Sequence, residues 1–167
     1  MAGLKVLEKG LVVAERTGTV WLELHLQAQR AQILLASRSA EPARAALQRC
    51  QHLVETLHLM PPSPALFRLW GFQARLAAMG GRNDEARERW LDVLAHSGYC
   101  ALPRTRAQTL FRLAALDLET RAIERARQWV GQLRQEGLEP YLPARLAGEL
   151  PALVEAIDRA AKADSSR

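Results

Sequence analysis

Histidine and cysteine are the residue types in this sequence that could hold a metal ion. The histidines are His25, His52, His58 and His96. No two of them stand four residues apart, the spacing at which one helix presents two imidazoles to zinc. Cys50 and His52 are neighbours but would need further ligands that the sequence does not identify. We therefore predict no metal site.

The two thiols are also the obvious candidates for nucleophilic chemistry. Cys50 falls in an apolar position of the helical repeat described below, so we expect it to be packed. Cys100 lies in a connection, and a lone thiol without a placed histidine is a weak candidate for a nucleophile. Gly80 and Gly81 end a helix and form no phosphate-binding loop, and no titratable groups are spaced to converge on one pocket. We predict that the chain is not an enzyme and has neither catalytic residues nor a cofactor.

Charge is the next property that could point to a partner. The formal net charge is +5, and the lysines are only Lys5, Lys9 and Lys162, the other 20 basic residues being arginines. Arginine alternates with acidic residues along the predicted helices, as between Glu85 and Arg89. This alternation favours solvated helix faces over a nucleic-acid surface, although an acidic protein partner also fits.

The sequence gives no sign of export or of a membrane. No apolar stretch approaches the roughly 20 residues that span a bilayer, and the first residues lack the apolar core and cleavage site of a signal peptide. Two cysteines are too few for a disulfide framework. We predict a cytoplasmic protein with reduced thiols and no membrane partner.

Helical periodicity organises nearly the whole chain. Leucine and alanine, both strong helix formers, dominate, whereas valine and isoleucine are sparse, so we predict an all-α fold. Helices are expected near residues 2–16, 19–37, 41–58, 64–79, 83–96, 103–118, 122–135 and 142–163, the last interrupted by Pro151. Leu22, Leu26, Ile33 and Leu34 should face one way in the second helix, and Trp90, Leu91 and Leu94 should point inward in the fifth.

Small residues recur at a fixed interval between successive helices. An alanine is followed twelve positions later by Ala-Arg in three pairs: Ala31 with Ala43-Arg44, Ala74 with Ala86-Arg87, and Ala114 with Ala126-Arg127. Apolar residues follow four and seven positions after each second alanine, namely Leu47 and Cys50, Trp90 and Val93, Val130 and Leu133. Antiparallel helices approach closely where each carries a small side chain. A pair built this way leaves one apolar face open, so pairs must stack.

These positions resemble the tetratricopeptide repeat, in which sixteen residues separate a tryptophan from the second-helix alanine. The corresponding positions of the middle unit hold Trp70, Ala74, Ala77, Gly81, Ala86 and Trp90. Two residues of this unit differ in type from the family pattern, because Gln73 stands at the Leu position and Ala77 at the Tyr position. In the third unit Asp117 stands at the Tyr position. The resemblance covers roughly residues 19–135. It implies a right-handed α-α superhelix of antiparallel helix pairs.

The repeat period is 43 and then 40 residues, longer than the usual 34. Such long repeats look like those of the maltose-regulon (MalT-like) bacterial transcription activators, where they form the sensor and interaction region. On this basis we expect one repeat domain, residues 1–163, with a lone second helix at 1–16, repeats at 19–58, 64–97 and 103–136, and a capping helix at 142–163. Residues 164–167 are expected to be a disordered tail.

The resemblance also implies a concave groove lined by the first helix of each repeat. The family's groove positions fall on His25, Gln32, Arg68, Gly71, Arg75, Gln108 and Phe111. Arg68 and Arg75 are seven residues apart and should point the same way from one helix. Gly71 between them leaves room for a ligand backbone. Two guanidinium groups on one wall suit a carboxylate or an acidic peptide.

The sequence therefore predicts a non-catalytic scaffold that binds a protein or peptide, as in the sensor region of a bacterial regulator. The alternative is a structural or oligomerisation module, in which the unpaired first helix docks on a second copy to form a homodimer. A nucleic-acid partner is disfavoured.

Overall fold

The computed structural model describes residues 2–97 and 102–165, so Cys100 lies outside the described residues. The helices are α1 (Ala2–Thr17), α2 (Val20–Ala36), α3 (Ala40–Thr56), α4 (Pro64–Met79), α5 (Asn83–Ser97), α6 (Pro103–Glu119), α7 (Ile123–Gln135) and α8 (Ala144–Ser165), with a 3-10 turn at Glu139–Tyr141. Every regular element in the described ranges is a helix, which confirms the predicted all-α class. None of these helices combines the length and the apolar character needed to cross a bilayer.

The helix ends follow local backbone chemistry. Pro64 and Pro103 stand in the first turns of α4 and α6, where a fixed φ suits the helix and the missing N–H has no partner to lose. Gly18 and Gly81 follow α1 and α4 with φ values of 63° and 73°, a left-handed conformation that glycine adopts without a steric penalty. Both glycines end helices as predicted.

The last helix differs from the prediction at Pro151. α8 runs from Ala144 to Ser165 without a break and contains Pro151, so the predicted interruption is wrong. Pro151 cannot donate a hydrogen bond to the carbonyl of Ala147, but both residues are exposed, and solvent can satisfy that carbonyl. The helix also includes Asp164 and Ser165, which the sequence placed in the tail; Ser166 and Arg167 lie outside the described residues.

The six repeated alanines are all buried. Their exposed fraction is 0% at Ala31, Ala43, Ala74, Ala86, Ala114 and Ala126. Ala31 and Ala43 belong to one apolar cluster, and Ala114 and Ala126 belong to another. The apolar residues predicted to follow them are buried too, at Leu47, Cys50, Trp90, Val93, Val130 and Leu133. The small residues of the first and third pairs therefore lie where α2 packs against α3 and α6 packs against α7, as the spacing predicted.

α2 turns a different face inward from the one expected, whereas on α5 only one of the three residues predicted to point inward is exposed. On α2 the buried leucines are Leu24, Leu34 and Leu35, whereas Leu22 is 41% and Ile33 is 36% exposed. On α5, Trp90 and Leu94 are buried but Leu91 is exposed. The core face of α2 carries the repeated alanine Ala31, so Leu22 and Ile33 are left on the surface as a second apolar stripe.

The chain forms two compact units, unit 1 (Met1–Ala86) and unit 2 (Arg87–Arg167). In unit 1, α2 packs against α1, α3 and α4, and α3 packs against α4. In unit 2, α6 packs against α7 and α8, and α7 packs against α8. The helices in these contacts are held in their unit by their buried stripes.

Ion pairs link neighbouring helices within each unit and show their relative direction. In unit 1, Arg49 in the second half of α3 donates to Glu23 in the first turn of α2, with N–O distances of 2.5 and 3.0 Å. In unit 2, Arg106 at the start of α6 donates to Glu136, just beyond α7, at 2.5 and 2.7 Å. Hydrogen bonding from Arg106 lowers the pKa of Glu136. Both helix pairs are therefore antiparallel.

Candidate ligand-binding cavity

A cavity of about 190 Å³ lies in unit 1 where α2 and α4 meet over α3. From α2 it is lined by Trp21, Leu24, His25 and Ala28, from α4 by Ala65, Arg68, Leu69 and Phe72, and from α3 by Cys50. The residues on α2 and on α4 recur every three or four positions, so each helix contributes one continuous stripe. The cavity exists because Ala28 and Ala65 are too small to fill the space between the stripes.

The floor and the mouth of the cavity have different chemistry. Leu24, Cys50 and Leu69 are buried and form an apolar floor. Trp21, which is 57% exposed, and His25, which is also exposed, stand at the mouth. A ligand group that enters would exchange water for apolar contacts on most sides, which is favourable for an apolar group.

Arg68 supplies the fixed charge at this site. Its guanidinium carbon lies 5.9 Å from the centre of the Phe72 ring, a distance at which the ring face attracts a cation. The lining residues include no carboxylate. The walls are therefore apolar with a cationic edge, an arrangement that suits an anion attached to an apolar group.

Cys50 is a packing residue and not a nucleophile. Burial raises the pKa of its thiol from 9.0 to about 12, although Arg68 acts in the opposite direction. The thiolate is the reactive form, so Cys50 stays protonated and unreactive at neutral pH. The thiol adds a small apolar surface to the cavity floor.

The structure brings together two of the predicted groove residues, His25 and Arg68, at this cavity. Gln32 is exposed on α2 one turn beyond Ala28, and Arg75 is half-buried on α4 three residues beyond Phe72. Both continue the stripes that line the cavity. Gly71, also on α4, is half-buried, and a Cβ added there would meet no atom within 4 Å.

The remaining predicted groove residues belong to unit 2. Gln108 is half-buried on α6, and Phe111 is buried with 4% of its surface exposed. The guanidinium carbon of Arg112 lies 5.9 Å from the Phe111 ring centre, and burial lowers the pKa of Arg112. Their assignment to a groove stays a prediction.

The apolar part of the site was not predicted from the sequence. Nothing in the sequence distinguishes Leu24, Ala28, Leu69 and Phe72 from other helix residues, because apolar side chains at helical spacing are the rule in a core. The structure places Trp21 at the cavity mouth. Trp21 and His25 stand one helical turn apart in the sequence, but only the structure shows that both are exposed.

The second feature missed from the sequence is a buried carboxylate in unit 2. Asp117 of α6 has no exposed surface. It accepts from Arg87 of α5 at 2.5 and 3.0 Å and from the Trp129 indole of α7 at 2.8 Å, and Arg125 lies 3.6 Å away. The network joins three helices. Its signal was present in the sequence, since a charged residue within the apolar run from Leu113 to Leu118 requires a partner.

A second cavity, of about 420 Å³, lies in unit 2 beside the turn between α6 and α7. Arg121, Glu124, Arg125 and Asp164 line it together with Ala122, Ile123 and Ala161. Charges of both signs alternate around it, so it favours no particular ligand charge. Within the described residues, no His, Cys, Asp or Glu side chains group in threes that could hold a metal ion.

Comparison of the chain with protein-family models, with curated proteins and with solved structures finds no match.

Proposed function

We propose that this chain is a non-catalytic scaffold that binds a protein or peptide segment along the α2–α4 face of unit 1. The cavity between these helices carries the proposal, because it combines an apolar floor with Arg68 and His25 at its edge. Side chains held on packed helices lose little conformational freedom on binding, which favours affinity. In this proposal the chain acts in the cytoplasm, as the interaction region of a bacterial regulatory protein.

Reversing the charge of this face tests the proposal. The double variant Arg68→Glu with Arg75→Glu should keep its helicity, because both residues are only half-buried, and should lose its partner. The measurement is mass spectrometry of the proteins that the immobilised chain retains from a lysate of the source cells.

A matched control is the double variant Arg16→Glu with Arg44→Glu, which makes the same charge change at exposed positions of α1 and α3. Partners retained by the wild type and the control but not by the Arg68 and Arg75 variant support the proposal. An identical set of retained proteins in all three would remove binding at the α2–α4 face.

Self-association is a second candidate function, favoured by exposed apolar residues on α1 and α2. Val6 and Val13 of α1 and Leu22 and Ile33 of α2 are all exposed. The two valines share one face of α1, and Leu22 and Ile33 share one face of α2. The two helices approach closely at Gly10, because a Cβ added there would lie 3.1 Å from the Leu26 side chain. We call these four residues the α1–α2 apolar surface.

A further inference from the structure

The volume of the cavity in unit 1 limits what it can hold. Small-molecule sites usually enclose about 300–1,000 Å³, whereas this cavity encloses about 190 Å³. Its floor is apolar at Leu24, Cys50 and Leu69, so it offers no polar group to orient a complex ligand. The dimensions and the floor fit one bulky apolar side chain better than a whole metabolite.

The edge of the cavity determines what must accompany that side chain. The Arg68 guanidinium has five N–H donors and no acceptor, and no lining residue is acidic. A carboxylate close to the inserted side chain would therefore meet a cation held against the Phe72 ring. Such a contact to an ionised acceptor is stronger than a neutral hydrogen bond.

The stripes that line the cavity extend beyond it along both helices. Gln32 continues the α2 stripe and Arg75 continues the α4 stripe. A bound peptide that extends from the cavity toward these residues would pass the amide of Gln32 and the guanidinium of Arg75. This favours a peptide segment over an isolated small molecule.

We propose that the cavity is an anchor site for a peptide in which a leucine-, methionine- or phenylalanine-sized side chain stands within two residues of an aspartate or glutamate. The apolar side chain occupies the space between Trp21 and Leu69, and the carboxylate pairs with Arg68. This assignment rests on the proposed function and adds the chemical class of the partner.

Selection of random linear peptides displayed on phage against the full chain tests the anchor. Enriched peptides should share a bulky apolar residue with an acidic residue within two positions. Their affinities are then measured by fluorescence anisotropy for the wild type and for Ala28→Phe, which fills the cavity. The matched control is Ala36→Phe, on the exposed last residue of the same helix. Binding should be lost in Ala28→Phe and kept in Ala36→Phe.

A double-mutant cycle tests the carboxylate contact independently of cavity filling. It does not use Ala28→Phe, so it can be measured even if that variant folds poorly. Arg68→Gln should weaken binding on the order of tenfold, as expected for loss of a charge-assisted hydrogen bond. Replacing the acidic residue of the peptide by its amide should weaken wild-type binding equally but should not weaken Arg68→Gln further.

Enriched peptides without the apolar and acidic pair, bound equally by Ala28→Phe, would overturn the anchor and leave the proposed scaffold function in place. Additive effects in the cycle would also overturn it. Failure to enrich any peptide, with lysate partners unchanged by Arg68→Glu and Arg75→Glu, would overturn both the anchor and the scaffold function.

Discussion

Asp117 shows how one residue can join several helices. A carboxylate without solvent contact is costly unless hydrogen bonds and an opposite charge compensate it. Here Arg87, Trp129 and Arg125 surround it from α5 and α7. Arg87, which follows the repeated Ala86, thus links α5 to α6. Arg127, which follows the repeated Ala126, links α7 to α8, since it lies 3.5 Å from Asp158.

Removal of the buried carboxylate should destabilise unit 2 strongly. We expect Asp117→Ala to lower the free energy of unfolding by about 3 kcal/mol, because Arg87 and the Trp129 N–H would each lose a hydrogen bond to the buried carboxylate. Chemical denaturation followed by circular dichroism measures this change. Asp158→Ala is the control: its side chain is 55% exposed and pairs with an exposed arginine, so about 1 kcal/mol or less is expected. Equal losses in the two variants would contradict the bridging role.

At the scale of helices, alanine spacing determines which faces approach. Ala31 and Ala43 are fully buried in the cluster that joins α2 and α3. Leu47 and Leu35 fill the space beside them. A longer side chain in place of either alanine would have to push the two backbones apart.

We therefore expect Ala31→Leu to cost about 1–3 kcal/mol of stability through overpacking. Ala45→Leu, on the exposed side of α3, should change stability little, because leucine and alanine have similar helix propensities. Thermal unfolding of the two variants beside the wild type measures the difference. An unchanged melting temperature in Ala31→Leu would mean that the helices are not in close contact at this alanine.

Helix positions and the packed alanines could be predicted from the sequence because both depend on local spacing. The orientation of α2 was wrong because Leu22 and Ile33 form a second apolar stripe, and composition alone does not say which stripe is buried. His25 and Arg68 were named from the family resemblance. The cavity beside them could not be predicted, since its floor requires α3 and α4 to contribute Cys50 and Leu69 at one point.

At the scale of the whole molecule, the two units differ in what they expose. The cavity with its apolar floor and the α1–α2 apolar surface both belong to unit 1. Unit 2 contains the Asp117 network and a cavity lined by charges of both signs. Exposed arginines pair with acidic neighbours in both units, as in Arg82 with Glu85 and Arg145 with Glu149.

Self-association through the α1–α2 apolar surface predicts a dimer that polar substitutions dissociate. The wild type should elute as a dimer in size-exclusion chromatography with light scattering, and Val6→Ser with Val13→Ser should elute as a monomer, because burial of apolar area drives association. Met60→Ser with Leu91→Ser removes exposed apolar side chains elsewhere and should remain dimeric. A monomeric wild type would eliminate this candidate function.

The indole of Trp21 gives the binding face a built-in optical signal. It is more than half exposed at the cavity mouth, whereas Trp90 is buried. Indole emission shifts to shorter wavelength when water is displaced from the ring. The emission of Trp21 should therefore lie at a shorter wavelength when the cavity is occupied than when it is empty. Ligands can therefore be screened on the unlabelled chain, with Trp21→Phe as the spectroscopic blank.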